Sequence, residues 1–114
     1  MKKQKSKTDN TDKFKERFDY WIRVLMPCVS TVLLNDDIDD NTWAQVTTNC
    51  VSGVASVSVQ KDIPDDMIDE TALHEALHSM LTPLTSLTQV HYSDDYVDQI
   101  EHAIVNKLIR VILK

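Results

Sequence analysis

Apolar residues recur along this chain with two periods, and the alternation between them sets out the elements. From Lys13 to Met26, Phe14, Phe18, Trp21, Ile22 and Leu25 fall three or four apart, with Thr11 or Asp12 available as N-cap and Pro27 beyond. That spacing predicts a first helix with one apolar face. Cys28 to Leu34 is short and rich in β-branched residues, which predicts a strand. Trp43 to Val51 predicts a second, with Ala44, Val46 and Cys50 opposite Gln45, Thr47 and Asn49. After Ser52-Gly53, Ala55, Val57 and Val59 alternate with Ser56, Ser58 and Gln60, so the second and third strands form a hairpin.

The period changes again at Asp65. From there to Thr82 nothing breaks a helix, and Pro83 is read as its end; Asp62, Asp65 and Asp66 offer an N-cap and first-turn acids. Met67, Thr71, His74, His78 and Leu81 form one stripe and Leu73, Ala76, Leu77 and Met80 another. A helix apolar on more than one side belongs inside a core. Leu84 to Tyr92 lacks a strong period and reads as a connector. Ser93, Asp94 and Asp95 open a last helix reaching about Leu113, with a stripe of Val97, Ile100, Ile104, Val105, Leu108, Val111 and Ile112. The fold class is α+β: an N-terminal helix, a small three-stranded, mostly antiparallel sheet, a central helix and a C-terminal helix.

Composition narrows the setting. With 114 residues, the chain makes one domain, residues 13–114, behind a lysine-rich tail, residues 1–12, that has no apolar residue after Met1 and reads as disordered. A formal net charge of −6 argues against a nucleic-acid partner. No apolar run approaches the length of a membrane span, so no membrane partner is expected. Two cysteines, Cys28 and Cys50, and no apolar signal core point to a reducing cytoplasm, with both thiols as small buried apolar residues. Asn35 to Asn41 is acid-rich but lacks the central Gly and distal Glu of an EF-hand loop, and reads as an acidic loop.

The chemistry concentrates at His74-Glu75-Ala76-Leu77-His78. Residues four apart on a helix lie nearly above one another, so two imidazoles converge while Glu75 flanks them. Zinc accepts two such nitrogens, and a neighbouring carboxylate can take a proton from water on the metal. The pattern arises by chance in roughly one chain of this length in a few hundred. A catalytic zinc site usually has a third protein ligand; the downstream candidates are His91, Asp98, Glu101 and His102. At about 100° per residue, Glu101 falls near the centre of the last helix's apolar stripe, whereas Asp98 and His102 fall at or beyond its edges. A carboxylate facing a core needs a metal or an ion pair. Glu101 is therefore the first choice and His102 the alternative; without a metal, Glu101 would pair with Arg23 or Lys107.

His74-Glu75-x-x-His78 followed by a helical Glu101 resembles the gluzincin branch of the zincin metallopeptidases. The stretch from His74 to Leu84 with Glu101-x-x-Ile104-Val105-x-x-Leu108 further resembles short metallopeptidases of phages and prophages. The resemblance covers roughly Trp21 to Leu113. It implies a minimal zincin-like fold in which His74, His78 and Glu101 bind Zn2+ and Glu75 accepts a proton from the zinc-bound water attacking a peptide bond. The chain would then be an endopeptidase acting on a peptide or protein substrate in the cytoplasm, the host's if phage-encoded. Tyr92, His91 or His102 would stabilise the developing oxyanion, Tyr92 being taken as the catalytic candidate. One departure stands out: larger gluzincins often place an Asp four residues after the ligand Glu, and here that position is Val105, so Asp98 or a backbone carbonyl would orient the histidines. The rival expectation is a non-catalytic, zinc-stabilised phage protein that binds a host or phage protein partner.

Overall fold

The structure, a computed structural model, describes residues 9–26, 28–35, 38, 41–49 and 51–113. Helix α1 spans Thr11–Leu25 and buries Phe14, Phe18 and Ile22, the four-residue repeat of its predicted stripe. The first eight residues of the predicted tail lie outside the described residues. Its end is not loose: Asn10 is buried, its backbone N–H donates to the Lys61 carbonyl at 2.9 Å, and its Nδ2 donates to Ile63 O at 2.7 Å and Asp65 Oδ1 at 2.8 Å. Asp65, expected to help cap the central helix, instead ties down the start of the chain.

Strands β1 (Thr31–Leu34), β2 (Ala44–Asn49) and β3 (Val54–Val59) form one sheet in the order β1-β3-β2. The β2–β3 hairpin is antiparallel, as its alternation predicts, with Ala44 opposite Val59 and Val46 opposite Val57. Asn49 Oδ1 accepts from the N–H groups of Val51 and Ser52, and Gly53 closes the turn with φ +73°, a conformation that favours glycine. Strand β1, however, pairs with β3 in parallel, so the sheet is mixed rather than mostly antiparallel. Alternation assigns each side chain to a face but carries no information on direction. After β1 the chain crosses to the far side of β3 before the hairpin begins, and that route sets the parallel pairing.

Val32, Ala44, Ala55, Val57 and Val59 point from one face of the sheet into a core completed by Phe14, Phe18, Ile22, Ile63, Ala72 and Ala76. Helix α2 runs from Ile68 to Thr88, entered through a single 3-10 turn at Asp65–Met67. It passes through Pro83 instead of stopping there. The proline removes the N–H that would reach the Ser79 carbonyl, and the threonine hydroxyls hold nearby carbonyls: Thr82 Oγ1 donates to His78 O at 2.8 Å, Thr85 Oγ1 to Thr82 O at 3.2 Å, and Thr88 Oγ1 to Thr85 O at 2.8 Å. The predicted connector is consequently helical over most of its length.

At its start, α2 is locked to α1 by Asp69, whose Oδ1 accepts from Arg17 Nε at 2.8 Å and Trp21 Nε1 at 2.9 Å. Helix α3, Asp94–Ile112, begins at Ser93, whose hydroxyl accepts from Tyr96 N. It packs on α2 through Leu73, Leu77, Val105 and Ile109. Helix α2 thus has the sheet and α1 on one side and α3 on the other, the buried setting its two apolar stripes predict. Cys28 does not fit its expectation: it is exposed and disulfide-bonded, while its neighbour Val29 takes the core position. Cys50, and the acidic residues Asp36, Asp37, Asp39 and Asp40, lie outside the described residues. Among those described, no helix is long and apolar enough to cross a membrane.

Candidate metal centre

The histidines of α2 meet α3 at one place. His74 and His78, one helical turn apart, bring their Nε2 atoms to 3.0 Å, with ring centroids 4.6 Å apart. From α3, the ring of His102 stands 4.6 Å from that of His78 and 6.0 Å from that of His74. One ring nitrogen from each of the three lies within 4.8 Å of the other two. Tetrahedral zinc spaces its nitrogen ligands about 3.4 Å apart. The His74–His78 pair is already inside that limit, and His102 is half-exposed beside it.

Two of the rings, those of His78 and His102, are held by their other side. Glu101 Oε2 contacts His78 Nδ1 in a part-buried pair, the Glu101 side chain being 14% exposed. His102 Nδ1 donates to the Asp98 carbonyl at 2.9 Å, with Asp98 Oδ1 at 3.4 Å. A proton on Nδ1 leaves Nε2 with a lone pair, so Glu101 and Asp98 set the tautomers that a metal needs. A neutral His74 with its proton on Nε2 donates to His78 Nε2 across this 3.0 Å contact, and a cation between the rings would take the place of that proton. The charged form is disfavoured at His74, which is lowered to about 4 by burial first and then by His78 and His102, with Glu101 pulling the other way. The donor set of three neutral imidazoles fits a borderline-soft divalent ion such as zinc.

Glu75 sits beside this cluster. Burial alone pushes its carboxyl up to about 7. One turn further, buried Ser79 accepts from Thr48 Oγ1 at 2.8 Å, which fastens the end of β2 to the Glu75 side of α2. Strand β2 is an edge of the sheet.

Glu101, expected as the third ligand beside His74 and His78, lies against the Nδ1 of His78, on the side of the ring away from His74. His102, the alternative third ligand, completes the group of imidazoles. Asp98, expected to orient His74 or His78, serves His102; Arg23 bonds to Asp19, leaving His78 as the partner of Glu101. Tyr92 is exposed, on the wall of a groove that also includes Glu101, and His91 is exposed in the turn after α2. The signal that finds His102 is its place next to Glu101: both rise from the turn of α3 that crosses His78. Compared with protein-family models, curated proteins and solved structures, the chain matches none.

Proposed function

We propose that the protein is a zinc-dependent peptidase whose metal is held between α2 and α3. The observation that carries this reading is the convergence of one ring nitrogen each from His74, His78 and His102 to within 4.8 Å of one another, with the part-buried Glu75 next to His74 in the chain. In this arrangement the three imidazoles are the ligands. Glu101 orients His78 and strengthens it as a donor, in place of the ligand role its position in the stripe suggested. Bound zinc supplies a Lewis acid that polarises a carbonyl and makes water more acidic. Glu75 receives the proton as water attacks and returns it to the leaving amine. The edge of β2 supports an extended substrate backbone, since edge strands pair readily with a further strand. Tyr92 is the candidate donor to the developing oxyanion.

A second reading draws on the position of α3, which packs chiefly on α2. A zinc ion joining the two helices would fasten α3, as in a structural site, with no hydrolysis. Metal analysis and hydrolysis of unfolded casein separate the possibilities. The peptidase reading expects about one zinc per chain, loss of zinc in His102→Ala, and retention with roughly 10–100-fold weaker affinity in Glu101→Gln. Glu75→Gln keeps zinc and loses hydrolysis. Zinc without hydrolysis in the wild type leaves the structural reading; no zinc after zinc is supplied removes both. Zinc lost in Glu101→Gln and kept in His102→Ala would restore Glu101 as the ligand.

A further inference from the structure

Strand β2 carries a hydroxyl on its covered side. Ala44, Val46 and Thr48 alternate on that side, while Gln45, Thr47 and Asn49 are exposed. Thr48 Oγ1 donates to Ser79 Oγ at 2.8 Å, and Ser79 is 1% exposed. A buried hydroxyl requires a hydrogen-bond partner, and these two find each other across 31 positions of the chain.

Two features make this bond the determinant of how β2 stands against α2. A cavity of about 220 Å³ lies beside it, lined by Met26, Thr48, Asn49, Ser79, Thr82 and Pro83. Close packing therefore does not fix the separation of strand and helix at this end. The ladder of α2 is also interrupted here, because Pro83 has no N–H to offer the Ser79 carbonyl. The turn that carries His78 and Ser79 thus lacks one of its own bonds, and a directional bond from the sheet steadies it. Strand β2 pairs with β3 on one side and leaves its other edge free. The Thr48–Ser79 bond consequently ties the strand that offers this edge to the residue next to His78, one turn after Glu75.

On the peptidase reading, we propose that Thr48 and Ser79 are positioning residues. Their hydrogen bond sets the β2 edge against α2 so that a peptide paired to that edge presents its carbonyl to the metal centre and Glu75. With the bond broken, a peptide still pairs with β2 through backbone groups that no side chain supplies, but its carbonyl is offset from the histidines. A misplacement of about 1 Å costs on the order of 100-fold in rate. The signature is a fall in kcat with KM retained.

The test compares Thr48→Val, which keeps the shape and removes the donor, with Ser79→Ala, which removes the acceptor, and Thr48→Ser, which restores a hydroxyl. The probe is a fluorogenic peptide copied from a bond that zinc-loaded wild type cuts in unfolded casein. Thr31→Val, exposed on the opposite edge strand of the sheet, is the control. Zinc content and circular dichroism are measured for every variant. Thr48→Val and Ser79→Ala are each expected to lose roughly 10- to 100-fold in kcat with KM within about twofold of wild type. The double variant Thr48→Val/Ser79→Ala should lose no more than either single one, Thr48→Ser should recover most of the rate, and Thr31→Val should match wild type. Wild-type kcat in Thr48→Val, losses that add in the double variant, an equal loss in Thr48→Ser, or release of zinc from either single variant overturns the proposal and leaves the peptidase reading in place. Zinc-loaded wild type that cuts no bond in casein removes the peptidase reading, and the positioning role with it.

Discussion

Glu75→Gln in the metal-free protein tests the environment of the proposed base directly. Burial raises the Glu75 carboxyl from 4.5 to about 7. Below pH 4.5 the folded and unfolded chains both hold this proton, and the residue adds no pH dependence. Between pH 4.5 and about 7 the folded protein keeps a proton that the unfolded chain releases, so stability falls as pH rises. Above pH 7 the whole cost of burying the carboxylate is present. At about 1.4 kcal/mol per pH unit, the interval from 4.5 to about 7 corresponds to about 3 kcal/mol. Glutamine has the same shape and no charge to bury. The advantage of Glu75→Gln over wild type should therefore be about 3 kcal/mol larger at pH 8 than at pH 4. Urea denaturation of both proteins in chelator at the two pH values measures it, and the double difference cancels the constant effect of the amide. A double difference under about 1 kcal/mol would refute the placement of Glu75 in a desolvated site.

Other outcomes follow from the same structure. His74 works in the opposite direction: lowered from 6.5 to about 4, it contributes stability present above pH 6.5 and lost as pH falls toward 4. In metal-free Glu75→Gln the opposing slope of Glu75 is removed, so denaturation midpoints should rise between pH 4 and 6.5 more steeply than in the double variant Glu75→Gln/His74→Gln, and equal slopes would exclude a desolvated His74. Phe18→Ala, at a fully buried position against Phe14, should cost about 3–5 kcal/mol in urea denaturation without changing the fold seen by circular dichroism. Gly53→Ala should cost about 1–2 kcal/mol, because φ is +73° and the added Cβ would lie 2.9 Å from Ser30 Oγ and 3.1 Å from the Cys28 carbonyl; thermal melting reads it, and an unchanged midpoint would contradict the turn geometry. If zinc binds the folded chain alone, the melting temperature should rise with free zinc concentration in wild type and not in His74→Ala.

Much of this architecture was legible in the chain because it rests on local rules. The four-residue repeat of Phe14, Phe18 and Ile22 defines the buried face of α1, and the two-residue repeat of Ala55, Val57 and Val59 that of β3. Ser93 before Asp94 and Asp95 marks the start of α3 through a cap that the structure contains. The reading failed where a local signal met a longer-range compensation. Pro83 reads as a stop, yet threonine hydroxyls supported the helix beyond it. Likewise, Asp65 resembles a helix cap, but its carboxylate is used by Asn10, 55 residues away.

At the site, the sequence by itself determined that His74 and His78 share a helix face, because an interval of four residues on an uninterrupted helix leaves no other arrangement. It also determined that Glu101 lies on the packed side of α3, where a carboxylate needs a partner. Only the tertiary structure decided what that partner is. The crossing of α3 over α2 puts Glu101 against the Nδ1 of His78 and brings His102 up to the imidazoles. A difference of one residue along a helix turns a side chain by about 100°, but which of two adjacent side chains reaches a neighbouring helix depends on the angle and depth at which the helices pack. That geometry is set by Leu73, Leu77, Val105 and Ile109 together. The direction of β1 is the same kind of quantity: it depends on the path of the chain through space, and no period along the sequence encodes it.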